Sequence, residues 1–145
     1  MPNSSPVCCD ANLVVRLVTK TDDAAILPAW QQWRREGRLI VAPRLLRYEV
    51  VNAVHRLRLA RKLDEVSAPV VLRAAMALPI EFHDEDELHQ LALDRAYQLN
   101  LSASYDAHYL ALAERLGIEF WTGDERLYNS VRHQLSWVHL AGSSA

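Results

Sequence analysis

Short apolar runs alternate along this chain with longer stretches in which apolar residues recur every three or four positions. The short runs, at residues 6–10, 39–42, 80–83, 118–122 and 137–140, have the length and composition of buried strands. The periodic stretches predict helices near 12–18, 23–35, 43–61, 68–77, 85–99, 104–116 and 124–132. Strands separated by helices argue for βα units and a parallel sheet. Pro28 and Pro69 fall inside or near the start of two of the predicted helices. There is no internal repeat and no low-complexity linker, and the terminal AGSSA is expected to fray.

Two helical faces carry more than packing information. In the stretch 43–61, Leu46, Val50, Ala53, Val54 and Leu57 share one face, with Arg44, Arg47, His55, Arg58 and Lys62 opposite. Glu49 lies at the border of the apolar stripe, beside Leu45, Asn52 and Arg56. In the stretch 104–116, Asp106, Leu110 and Ala113 fall on one line, so Asp106 begins an apolar face. Ser102 or Ser104 is placed to cap that helix, and the helix dipole favours Asp106 in its first turn. Trp30 and Trp33 share a face with Ile26, while Leu59 and Leu63 extend the next apolar pattern. Core burial accounts for those residues; an exposed docking surface is the alternative.

Composition sets the bounds. At 145 residues, half of them hydrophobic and 23% charged, the chain makes one ordinary globular domain, 1–145, with its core at about 7–140. No apolar run approaches the roughly 18 residues of a membrane span. The segment MPNSSPV lacks the basic and apolar regions of a signal peptide, so a cytoplasmic location is expected. Cys8 and Cys9 are adjacent and point to opposite strand faces, which suits two small buried side chains and not a disulfide or zinc knuckle. The six histidines show no H-x-x-x-H or H-E-x-x-H spacing. A net charge of −2 does not mark a nucleic-acid binder, so any such contact must use a local patch. The densest basic region, 44–62, holds Arg44, Arg47, Arg56, Arg58, Arg61 and Lys62 against the single acid Glu49.

Most of the 18 acids sit in polar runs such as HDEDE, but four do not: Asp10 in VCCDANLVV, Glu49 in LLRYEVVNAV, Asp106 in SASYDAHYLALA and Asp124 in EFWTGDERL. Each has a local explanation. Asp10 and Asp124 can cap the helices that follow them, Asp106 can stabilise its helix N-terminus, and Glu49 can be a partly exposed helix acid. Together they share a location. Asp10 ends the first strand, Asp124 follows the fourth by one glycine, and Glu49 and Asp106 are placed in the first turns of helices that project to that edge. Four carboxylates gathered on one rim repel one another and call for a cation. Oxygen-only donors suit Mg²⁺ or Mn²⁺, which can lower the pKa of bound water and clamp a phosphodiester. No G-x-S-x-G, reactive-cysteine signature or phosphate-binding glycine loop offers a competing chemistry.

These motifs carry a resemblance. D-A-N after a short apolar strand, Y-E-V-V-N-A, S-x-x-D-A-x-Y-L-A-L-A-E-x-L-G and T-G-D-E-R-L resemble, in order, the four acid-bearing motifs of the PIN-domain ribonucleases, most closely the VapC-type bacterial toxins. The last is similar to the family's T-x-D-x-x-L, with glycine where alanine is often found. The resemblance covers roughly 7–140. It implies an α/β fold, a three-layer α/β/α sandwich with a central, mostly parallel five-stranded sheet. It further implies Mg²⁺- or Mn²⁺-dependent RNA cleavage by Asp10, Glu49, Asp106 and Asp124, with Asn12 and Thr122 close to the substrate, a homodimer, and neutralisation by a small antitoxin protein. Arg56, two turns after Glu49 on the same helix border, is the best-placed cation for RNA; Arg44, Arg47 and Arg58 face further away. Three alternatives stand beside the toxin reading. They are an RNA-processing PIN nuclease, a catalytically silent PIN-like interaction module, and a receiver or haloacid-phosphatase domain. A phosphatase needs D-x-D where this chain has D-A-N, and the acid pair and late lysine of a receiver are missing.

Overall fold

The structure, a computed structural model, describes residues 4–19 and 25–142. The start of the helix expected from 23 and the last three residues of the AGSSA tail lie outside that range. Five strands form the sheet: β1 (Val7–Cys9), β2 (Ile40–Pro43), β3 (Ile80–His83), β4 (Glu119–Thr122) and β5 (Val138–Leu140). Their order is β3-β2-β1-β4-β5, and every neighbouring pair is parallel. The sheet is therefore wholly parallel. β1 and β2 are buried throughout and read as unbroken apolar runs, as strands covered on both faces do.

Among the described residues seven helices surround it: α1 (Ala11–Thr19), α2 (Ile26–Arg35), α3 (Leu45–Leu59), α4 (Ser67–Met76), α5 (Asp86–Gln98), α6 (Tyr105–Leu116) and α7 (Glu125–Val131). Strand alternation separates two faces. Cys8 turns toward α6, its thiol donating to the Tyr109 carbonyl at 3.7 Å, and Phe120 in the neighbouring strand stacks on the Tyr109 ring at 5.9 Å. Trp121 points the other way, to Trp33 of α2 at 5.5 Å. α5 and α6 pack together, whereas α1 packs with α2, α3 and α4. The α/β/α layering expected from the resemblance is thus present. No helix among the described residues is long and apolar enough to cross a membrane.

Several local expectations are refined. Pro28 and Pro69 each occupy the first turn of a helix, where a missing N–H is harmless. Pro43 ends β2 instead of opening α3. Glu49 consequently lies in the second turn of α3, not the first. Ser104 takes the N-cap position of α6, but its hydroxyl makes no capping bond; its carbonyl accepts from His108 Nδ1 at 2.8 Å. Ile26, Trp30 and Trp33 are all buried in the core and Leu63 packs partly buried against it, so core burial accounts for them, but Leu59 is 69% exposed. Cys8 and Cys9 are buried free thiols.

Candidate active site

The strand order sets the location of the site. The chain builds outward from β1 through β2 to β3, then returns to place β4 on the other side of β1. A parallel sheet opens a crevice at such a switch point, beyond the carboxyl ends of the two diverging strands. Asp10 follows β1 there, and Thr122, Gly123 and Asp124 end and follow β4.

Hydrogen bonds tie these residues together. Asp10 Oδ1 accepts from Leu13 N at 2.9 Å and Gly123 N at 3.4 Å, while Oδ2 accepts from the Thr122 hydroxyl. Thr122 Oγ1 accepts in turn from Asp124 N at 2.9 Å. Asp124 caps α7, its Oδ1 accepting from Arg126 N at 2.9 Å and Leu127 N at 3.3 Å. The capping roles foreseen for Asp10 and Asp124 are both real. They do not exhaust the groups, because a carboxylate offers about four lone-pair sites.

Glu49 and Asp106 arrive from α3 and α6. Glu49 Oε1 accepts from the hydroxyl of Tyr109, the largest fully buried side chain, one turn after Asp106 on α6. All four acids line a single cleft of about 750 Å³, together with Asn12, Arg16, Arg56 and Lys62. Thr122 is wholly buried behind Asp10 and meets the cleft through its bonds to Asp10 and Asp124. Asn12 is exposed at the rim and packs against Gly123. A methyl group on Gly123 would collide with the Asn12 amide oxygen and approach Leu13 N to 3.2 Å, so glycine here matches the present position of Asn12.

The carboxylates feel one another through Asp106. Burial raises the pKa of Asp10 to about 6, against the pull of its hydrogen bonds, and the Asp106 charge adds to the rise. Glu49 is raised by burial, lowered in part by the Tyr109 bond, and raised again by Asp106. Asp106 is itself raised by burial and then by Asp124. Asp106 is the centre of this repulsive set.

Two contributors were not singled out from sequence as site residues. Tyr109 reads as an apolar-face residue of α6, and nothing local reveals that its hydroxyl crosses to α3. Arg16 was legible: Asn12, Val15, Arg16 and Thr19 follow helical spacing and all line the cleft, and Arg16 Nη1 donates to Gly123 O at 3.2 Å.

The model of the PIN domain matches residues 7–132. The chain belongs to the PIN domain family. PIN domains are generally nucleases. The fold is also similar to a crystal structure of PAE2754 from Pyrobaculum aerophilum, with a TM-score of 0.64 and 24% identity over 87% of this chain and 86% of that one. No curated protein matches the chain.

PIN-domain nucleases typically use divalent metals, and the donor chemistry of this cleft fits such an ion. Its lining includes four carboxylates and no histidine or cysteine. Among the described residues no three His, Cys, Asp or Glu side chains close into a ready-made cage.

Proposed function

We propose that this PIN domain is a Mg²⁺- or Mn²⁺-dependent endoribonuclease whose catalytic acids are Asp10, Glu49, Asp106 and Asp124. The observation that carries the reading is their convergence on one cleft, with three of the four held above their ordinary pKa. These acids would hold the metal, which when bound supplies positive charge at a phosphodiester and lowers the pKa of a bound water. Asp10 is the fixed member, held by two backbone amides and Thr122. Thr122 therefore acts as a positioning residue. Tyr109 orients Glu49 in the same way from the far side. Arg56 lines the cleft with Glu49 and Asn52 and is placed to meet a phosphate, as Asn12 is at the opposite wall.

The motif order favours a toxin of the VapC type, held in check by a small antitoxin protein and acting as a homodimer. Purified protein incubated with several structured RNAs should cleave them in Mg²⁺ and stop on addition of EDTA. Cleavage that persists in chelator would remove the metal from the reading. Growth arrest on expression of the chain, relieved by Asp106→Asn, separates a toxin from an RNA-processing nuclease.

A further inference from the structure

A second groove, of about 580 Å³, lies beside the catalytic cleft on the outer side of α3, and Asn52 lines both. Arg44, Arg47, Tyr48, Val51 and His55 form its α3 wall. They recur at helical spacing, so they make one continuous stripe about 16 Å long at 1.5 Å per residue. No acid lines it. Arg44 has a distant partner in Asp84 at 3.7 Å, and the Arg47 guanidinium sits over the Phe82 ring at 4.9 Å, which holds the side chain in place while leaving its charge uncompensated by a carboxylate. Between these cations the Tyr48 side chain is 70% exposed and Val51 47% exposed. An aromatic left in water on a helix, flanked by arginines, does nothing for the core.

We infer that this groove binds a single-stranded flank of the RNA substrate, with Tyr48 stacking on a base and Arg44 and Arg47 meeting phosphates. The inference rests on the ribonuclease reading and extends it. The charge balance of the cleft motivates it. Among the described residues, the four acids there outnumber the cations Arg16, Arg56 and Lys62, so the cleft alone attracts a polyanion poorly. A basic groove joined to it at Asn52 supplies the missing attraction, and a stacking ring next to arginines is the usual surface for single strands. The groove commits to no base identity, since every base presents a π-face.

Length dependence tests the idea. Fluorescence anisotropy would compare a fluorescein-labelled single-stranded RNA of about 20 nucleotides with one of about 4, the lower end of single-strand site sizes. Tyr48→Ala should weaken binding of the long RNA about 5- to 150-fold, the range of one lost stacking contact, and Tyr48→Phe should restore it. Arg47→Ala should lower the slope of log K against log salt by about one phosphate contact. Cleavage of a short RNA that the wild type accepts should be unchanged in both variants. Equal affinity of wild type and variants for the long RNA, or equal losses on long and short RNA, would overturn the groove while leaving the nuclease reading intact. Failure of the wild type to bind any RNA would overturn both. Binding that depends on Tyr48 and Arg47 in a protein that cleaves nothing would keep the groove and remove the nuclease.

Discussion

At the scale of single residues, Asp106 is the position on which the site turns. It raises both Asp10 and Glu49 and is raised by Asp124. Asp106→Asn should lower ribonuclease turnover by about 10²–10³ or more, the usual cost of losing a transition-state charge stabiliser. Asp94→Asn on α5, an exposed acid that accepts from Gln90, should leave turnover within twofold. Equal small effects at the two positions would mean that the site lies elsewhere. Asp10 makes a prediction about pH. Its folded pKa of about 6 lies above the ordinary 3.8, so the folded chain holds the proton more tightly than the unfolded one. Its contribution is thus most favourable at low pH, declines from about pH 4 to about pH 6, and above that costs on the order of 3 kcal/mol in metal-free protein. Denaturant melts in chelator across that window should fall for wild type more steeply than for Asp10→Asn. Parallel profiles would contradict the burial argument. The gathering of these acids at one edge was legible in the sequence, because each interrupts an apolar or small-residue pattern. The Tyr109–Glu49 bond was not, because it joins residues 60 apart.

At the scale of elements, four helices end in the same way. After α2, α3, α5 and α6 the chain enters the left-handed region at Gly37, Arg61, Asn100 and Gly117, and the next amide reaches back to Trp33, Leu57, Ala96 and Ala113 respectively. Glycine adopts that conformation freely and asparagine tolerates it, but Arg61 at φ 58° does not. The left-handed backbone costs a side-chain residue roughly 1–2 kcal/mol, and glycine gives back about 0.4–1 kcal/mol in the unfolded chain. Arg61→Gly should therefore stabilise the protein by about 0.5–1 kcal/mol, read from the urea midpoint. Asn100→Gly should do less, and a destabilised Arg61→Gly would show that the exposed arginine makes a contact worth more than its strain. The helix ends at Arg35 and Leu116 could be read from the nearby Gly37 and Gly117. The end of α3 could not, because arginine carries no turn signal. Sequence periodicity accordingly ran on to 61, past the true end at Leu59.

For the whole molecule, self-association is the property still to be measured. The apolar face of α2 is spent on the core, which leaves surfaces such as Leu93 and Tyr97 on α5, 63% and 89% exposed, for a second copy. Light scattering at micromolar concentration should report a particle near twice 16.5 kDa. A strict monomer at high concentration would count against the homodimer. The sequence by itself determined the number and order of strands and helices, the parallel sheet, and the four acids as a set. Each of these follows from local rules: side-chain period, strand length, and the cost of a carboxylate in apolar surroundings. Tertiary structure alone decided the rest. Strand order puts β4 beside β1, and only that pairing opens the crevice between Asp10 and Asp124 and lets Thr122 hold Asp10. The depth of burial, the central place of Asp106 among the charges, and the division of the basic residues between cleft and groove depend on distances between segments far apart in the chain. Helical or strand periodicity reports which way a side chain faces, and it carries no information about what another segment brings to meet it.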